Sequence, residues 1–412
     1  MPDAPRSGDA ASRATPQPAT FDAHAGTSTG GAVAGTGVRL ALAYVALFFL
    51  AGVQLPYWPV WLASTGVSAV QVGVLLGVGT WARLVAPVLG SWADRSARAR
   101  ALLLAAGVGV LACYLAFDAT LGFATLLALS LALGLAGAPI TPLLDGIAVH
   151  AAAAGRIDYG RVRLWGSAAF IAAAVFGGRM LEGRAPAIVL TTLQASAAVL
   201  LVALLFVHAP PPSPSPAPTP WRAVLRQPGL LRLLGAVACL HGSHAVLYGF
   251  GTAHWREVGL DDTTIGALWG VGVLAEVVLF ALGGPVVRRC GAGGLLVIAG
   301  AGATVRWTAT AVLQSVAPLL AISVLHAASF AAMHLGAISW IRDHVPRDRV
   351  HRSVALYGAV SSGIALGVSM PLAGVLYERI GAHAWFAMAA LATVGLLLAW
   401  RVHVGPTRRA TA

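Results

Sequence analysis

The chain contains no lysine, so all 27 of its basic residues are arginines. Charge of either sign is scarce, since Asp, Glu, Lys and Arg together make up 10% of 412 residues, and this excludes the charged surface that a soluble protein of this size carries. Cysteine is nearly absent as well. Cys113, Cys239 and Cys290 stand far apart, so neither a disulfide framework nor a thiolate metal site follows from them. No H-E-x-x-H, Walker loop or C-x-x-C pair occurs and no serine elbow stands out, the string Gly26 to Gly30 lying in the polar N-terminal stretch, so nothing in the sequence argues for zinc hydrolysis, ATP-driven work or acyl transfer. No cofactor and no metal is expected.

What is present is apolar. With 58% hydrophobic residues and a mean hydropathy of +0.79, the chain has more apolar surface than a soluble core could hide. It reads as an all-α membrane protein of many spans, with the lipid bilayer as its first partner. A net charge of +12 would point to nucleic acid in a soluble protein, but here position outweighs the sum, and no nucleic-acid partner is expected.

Runs of spanning length fall at 38–62, 70–91, 100–117, 122–144, 164–181 and 186–208, then at 230–252, 264–286, 293–313, 316–341, 353–377 and 382–402. They form two groups of six. With the N-terminus inside, only Arg179, Arg184, Arg256 and Arg379 lie outside and only Arg83 and Arg306 within spans, so the positive-inside rule favours two cytoplasmic termini. Residues 1–37, too polar for a secretory signal, read as a disordered cytoplasmic tail. Residues 38–208 read as the first six-helix bundle, 209–229 as a proline-rich cytoplasmic linker, 230–402 as the second bundle and 403–412 as a second tail.

The two groups are related. At an offset of 193 residues Gly66, Gly73, Gly77, Gly79, Gly90 and Arg95 fall on Gly259, Gly266, Gly270, Gly272, Gly283 and Arg288, and Arg83 falls on Glu276. A duplicated hydrophobic chain with charges at matched depths is the pattern of a transporter made of two halves.

Between the second and third spans the chain reads G-S-W-A-D-R-S-A-R-A-R, from Gly90 to Arg100. This loop resembles the signature loop of the major facilitator superfamily, G-x-x-x-D-R-x-x-R-x-R, and Gly283 to Gly291 resembles its degenerate copy with Val287 in place of the acid. The resemblance implies a gate latch at Gly90, Asp94, Arg95 and Arg98, complete only in the first half. The strings L-P-Y-W-P-V-W-L at 55–62, D-Y-G-R-V-R-L-W-G-S at 158–167, H-G-S-H-A-V-L-Y-G-F at 241–250 and W-G-V-G-V-L-A-E-V at 269–277 carry it further. With Arg306-Trp307 and the pair His326 and His334, they are similar to the 3-phenylpropionic acid transporter branch, more distantly to proton-coupled lactose and nucleoside permeases. That implies two pseudo-symmetric six-helix bundles working by alternating access.

Arg83, Asp145, Glu276 and Arg306 lie inside or near the ends of spans. An ionised side chain at the bilayer centre costs on the order of 2.5–3.5 kcal/mol on insertion scales, so each must face a cavity or a partner, either as a structural ion pair or as part of a site. Glu276 is the preferred proton carrier, because burial disfavours a carboxylate and a nearby arginine favours it. The resemblance to lactose permease places Glu276, Arg306 and His326 on spans eight, nine and ten in coupling and binding roles. No carboxylate follows His326 by one turn, where Ser329 and Phe330 stand, so the proton route cannot be copied.

His241 and His244 share one face of span seven, and His326 and His334, eight apart, roughly one face of span ten. Imidazoles there serve as relays or hydrogen-bond donors, or simply pack. Tyr57, Trp58, Tyr248, Trp269 and Trp307 offer flat walls for a ring, whereas Trp61 fits an interfacial anchor. Pro56 and Pro59 bend span one, and Gly73, Gly77 and Gly79 permit close helix contact.

These residues lead to one expectation: proton-coupled uptake of a small aromatic carboxylate such as 3-phenylpropionate, by a monomer in the bacterial inner membrane. Arg306 or Arg83 would hold the anion, and Glu276, His326 and His334 the proton. A sugar or nucleoside symporter and a drug or metabolite exporter stay open within transport. A non-transporting receptor is the reading from another class, and an enzyme is not expected.

Overall fold

A computed structural model describes residues 28–86, 89, 98–119, 122–209 and 220–404, and the latch residues Gly90, Asp94 and Arg95 lie outside this set. Helix α1 runs Ser28–Ser64, α2 Ala69–Val85, α3 Ala99–Ala116, α4 Phe123–Ala153, α5 Tyr159–Leu181 and α6 Ala187–Leu205. In the second half α7 runs Leu230–Glu257, α8 Asp262–Ala281, α9 Gly283–Val312 and α10 Val316–His344. Helix α11 is built from Arg347–Gly358, a π turn at Ala359–Ala365 and Leu366–Ile380, and α12 is Ala384–His403. Among the described residues there is no strand.

Among the described residues ten apolar helices are of spanning length by composition, one of which, Arg347–His403, holds α11 and α12 end to end, and Ala69–Val85 is a shorter apolar helix beside them. The sum is the expected twelve. Several helices outrun their apolar stretches: α4 continues to Ala153, α5 starts at Tyr159 and α11 at Arg347. Hydropathy marks only the part in hydrocarbon, while the helical hydrogen-bond ladder persists where the chain meets water. Helix α1 likewise starts at Ser28 rather than at 38. Cys290 lies on the helical segment just before Gly291, where φ of 67° kinks α9.

The halves meet where glycines let backbones approach. A Cβ on Gly73 would lie 2.5 Å from Met370 O, and one on Gly266 2.5 Å from Ala174 O, so the equivalent positions of the repeat make the α2–α11 and α5–α8 contacts. Gly77 packs likewise on Gly367 and Pro371 of α11, whereas Gly79 turns to Ser130 and Gly134 of α4.

Core packing differs between the two faces. One buried cluster joins the first half to Trp255, Leu260, Ile265 and Leu268 of α7 and α8, to Met370 and Ala373 of α11 and to Trp385 of α12, all toward the face opposite the termini. The second half keeps a separate core at the terminus-bearing face, around Leu230, Leu233, Leu296, Trp340 and Tyr357. Among the described residues the core shared between the halves is therefore concentrated at the face opposite the termini.

Candidate functional site

Two irregular turns aim polar groups at the centre of the second half. Helix α7 breaks at Ser243 and His244, between Leu230–Gly242 and Ala245–Glu257. There Ser243 Oγ donates to Leu240 O at 2.6 Å and His244 Nδ1 bonds the same carbonyl at 3.0 Å. Helix α10 passes through a π turn at Ala327–Ala332, which sets Ser329 facing α7 and α9. The wider turn also takes more residues per revolution, which brings His326 and His334 nearer to one side than an α-helix would.

Around these turns a single polar chain is legible from donor and acceptor chemistry. Arg306 Nη1 can only donate, and it lies 2.8 Å from His326 Nδ1 and 3.2 Å from Ser329 Oγ. His326 Nδ1 is therefore an acceptor, its proton sits on Nε2, and that nitrogen faces Glu276 Oε2 at 3.4 Å. Leu240 O can only accept, so His244 carries a proton on Nδ1, and its Nε2 pairs with Ser329 Oγ 3.3 Å away. His326 is neutral in this arrangement. One cation and one carboxylate stand at Arg306 and Glu276, joined through the neutral ring of His326.

Arg306 is 5% exposed, and among the described residues no carboxylate lies within ion-pair distance of it. Nη1 is the only guanidinium nitrogen hydrogen-bonded within the described chain, which leaves the remaining donors of the fork for a ligand. Trp307 supports it from below: the guanidinium sits 4.7 Å from the indole, Trp307 Nε1 donates to Ser243 Oγ at 3.0 Å, and the ring stacks on Trp385. A cavity opens in front. It is lined by Leu55 and Phe170 of the first half, by Leu247, Tyr248, Trp255, Leu268, Trp269 and Val273 of the second, and by Arg306 and His326. Tyr248 and Trp269 stack with centroids 6.2 Å apart, and Trp269 Nε1 donates to Thr252 Oγ1, whose own hydroxyl bridges the halves to Pro56 O at 2.7 Å. The space is narrow, about 20 Å³, so these apolar and aromatic side chains close on the cation and would have to part to admit an aromatic ring.

The other expected site residues divide. His241 is buried beside His244, Tyr248 and Phe330. Arg83 is exposed at the end of α2, within electrostatic range of Tyr248 and His241 across the cleft. His334 stands apart from the hydrogen-bonded chain, since Nδ1 pairs with Tyr357 OH at 2.9 Å and the ring meets Phe280. Arg98 lies exposed at the start of α3. Asp145, expected as a membrane charge, accepts from Tyr44 OH at 2.6 Å and from Tyr159 OH at 3.3 Å and belongs to the packing of the first half.

Tyr57, Trp58 and Trp61 correct the sequence expectation. Tyr57 is fully buried, its hydroxyl donates to Ala174 O at 2.6 Å, and its ring fills the space left by Gly177 and Gly178. Trp58 stacks on Trp61 at 4.6 Å with Tyr114 and Phe117 at the edges, so Trp61 is a core residue, not an interfacial anchor. These rings pack helices and do not face the Arg306 cavity, because sequence spacing gives the helix face but not the neighbour. Tyr57→Phe is accordingly expected to lower stability by about 1 kcal/mol, as for one hydrogen bond, with the KM for substrate unchanged. A raised KM without loss of thermal stability would return Tyr57 to the site. Ser243, Thr252 and Ser329 are members of the site that sequence reasoning misses, because small hydroxyls in apolar helices carry no periodic signal.

Comparison with known proteins supplies the family. Residues 38–388 match the MFS_1 like family. The probable 3-phenylpropionic acid transporter of Escherichia coli (strain K12) is 32% identical over 368 residues, covering 87% of this chain and 96% of that protein. The maltose permease of Geobacillus stearothermophilus is 26% identical over 368 residues, covering 87% and 92%. Among solved structures, the nucleoside transporter NupG aligns with a TM-score of 0.74 at 15% identity over 89% of this chain and 98% of that one. A bacterial homologue of the human lysosomal transporter Spinster, inward-facing and unoccupied, aligns at 0.68 and 15% identity over 93% and 99%.

Proposed function

This chain belongs to the MFS_1 like family of membrane transporters, and on that premise we propose that it takes up a small aromatic carboxylate together with a proton. The observation that carries this reading is Arg306, a buried cation held by a neutral imidazole and a hydroxyl at the end of an aromatic cavity. A buried charge without a counter-ion in contact is costly, and a ligand carboxylate would supply one in two-pronged geometry. Tyr248 and Trp269 would flank the ring. The similarity to a probable 3-phenylpropionic acid transporter makes 3-phenylpropionate the first compound to try.

Proton coupling follows from the same chain of contacts. A carboxylate that takes Arg306 withdraws the donor from His326 Nδ1, and that nitrogen becomes free to bind a proton while Glu276 faces the other side of the ring. Anion and proton would then cross together without net charge, and their departure would restore the contact between Arg306 and His326. The terminus-bearing face is assigned to the cytoplasm of a bacterial inner membrane by its arginines. Asp94 and Arg95, with Gly90 and Arg98, are assigned to the gate on that side by the signature loop alone.

Uptake of labelled 3-phenylpropionate into right-side-out vesicles tests both claims. Accumulation driven by an acid-outside gradient and abolished by a protonophore is expected. No transport of any small aromatic carboxylate would end the substrate claim, and gradient-independent transport the coupling claim.

A further inference from the structure

Two carboxylates close the face opposite the termini in the same manner, each reaching from one half to a helix of the other. Glu378, near the end of α11, accepts the Val70 N–H at 2.9 Å, in the first turn of α2. Glu182, the residue that ends α5, accepts the Thr263 hydroxyl in the first turn of α8. Positions 70 and 263 are separated by the same 193 residues as the two halves, and so are the N-caps Ser68 and Asp261. Gly66 and Gly259, with φ of +86° and +88°, turn the chain into each of these helices. The receiving turn is one feature built twice.

The physics favours negative charge at these points. First-turn amides have no partner within their own helix, and the aligned peptide dipoles place positive potential there. The N-caps satisfy only part of this demand: Ser68 Oγ accepts from Gln71 N at 3.3 Å and Asp261 from Thr264 N at 2.7 Å. Those contacts, above all the Thr264 amide, hold the Asp261 carboxyl below its ordinary range. A carboxylate is added at each helix start from the opposite half, Glu378 beside the Ser68 cap and Glu182 beside the Asp261 cap. Arg179, 3.4 Å from Glu182, belongs to the same half as that acid and ties nothing across the interface.

We propose that Glu182 and Glu378 are paired gate residues, one in each half, whose carboxylates hold this face shut by seating on the N-terminal turn of the helix across the interface. Parting α2 from α11 and α5 from α8 necessarily breaks both contacts, so the clasps stabilise the closed face relative to the open one. Neither touches the Arg306 cavity. They act on the gate whatever the cargo.

Pulsed electron paramagnetic resonance between spin labels at Thr65 of the first half and His383 of the second reads the gate directly, in a chain with Cys113, Cys239 and Cys290 replaced by serine. Glu182→Gln and Glu378→Gln are each expected to raise the ratio of open to closed molecules about two- to fivefold, and the double variant by roughly the product. Thr263→Val, which removes the donor and leaves every charge in place, is expected to match Glu182→Gln and serves as the test of that clasp if the glutamine variant does not fold. An unchanged distance distribution in the double variant overturns the proposal.

Discussion

Arg306→Gln is expected to cut uptake of the aromatic carboxylate more than a hundredfold. Losing a charge-assisted contact in a buried site is worth about 3 kcal/mol, and each 1.36 kcal/mol is a factor of ten. The loss should appear in binding, so the thermal stabilisation that substrate confers on purified protein should vanish with it. Arg306→Lys separates charge from geometry: it keeps the cation but not the planar fork that reaches His326 and Ser329 together, and an intermediate loss of about tenfold is expected. Since Trp307 and His326 both lean on this side chain, the melting temperature of each variant without substrate must be measured beside transport. Undiminished binding by a well-folded Arg306→Gln would remove Arg306 as the anion receptor. Arg83, exposed on the opposite wall, would be the next candidate.

Glu276→Gln is expected to separate movement from accumulation. The glutamine carbonyl can accept the His326 Nε2 proton as the carboxylate does, so the site keeps its shape, but it cannot carry charge or release a proton. Exchange of labelled for unlabelled substrate across the membrane should therefore continue. Uphill uptake should stop: an electroneutral one-to-one symporter can accumulate substrate about tenfold per pH unit, because a pH unit is worth 1.36 kcal/mol, and the variant should stay at parity. Full accumulation by Glu276→Gln would remove the carboxylate from the proton step. Loss of exchange as well would mean that the carboxylate is needed to hold the rings, which Arg306→Gln and Glu276→Gln combined would reveal by their non-additivity.

The parts of this site that are legible in the sequence are the ones the membrane makes conspicuous. Glu276 and Arg306 stand out because charge inside a span is costly, and His326 because the resemblance places it opposite them. The structure brings those three together with His244 and adds Ser329, which no pattern distinguishes from a packing serine. Aromatic residues are the least reliable guide. Tyr248 and Trp269 reach the cavity while Tyr57 and Trp58, equally prominent in the sequence, fill the seams between helices. A ring can bury itself against any neighbour, so composition does not say which one faces a ligand. Glu182 and Glu378 look like ordinary loop and helix-end acids, because their partners are hydroxyl and backbone groups of the other half, 81 and 308 residues away in the chain.

What the chain determined by itself is the number of spans, the duplication and the depth of its charges, since a bilayer demands long apolar helices and penalises each buried ion wherever the helix lies. Tertiary structure alone decided which turn of each helix meets which, and so which of those charges are joined through the ring of His326. It also turned the 193-residue repeat from a statement of ancestry into a pair of equivalent helix starts at Val70 and Thr263, each met by an acid from across the interface. A repeat in sequence records that two halves are alike; only their packing brings the end of one against the beginning of the other.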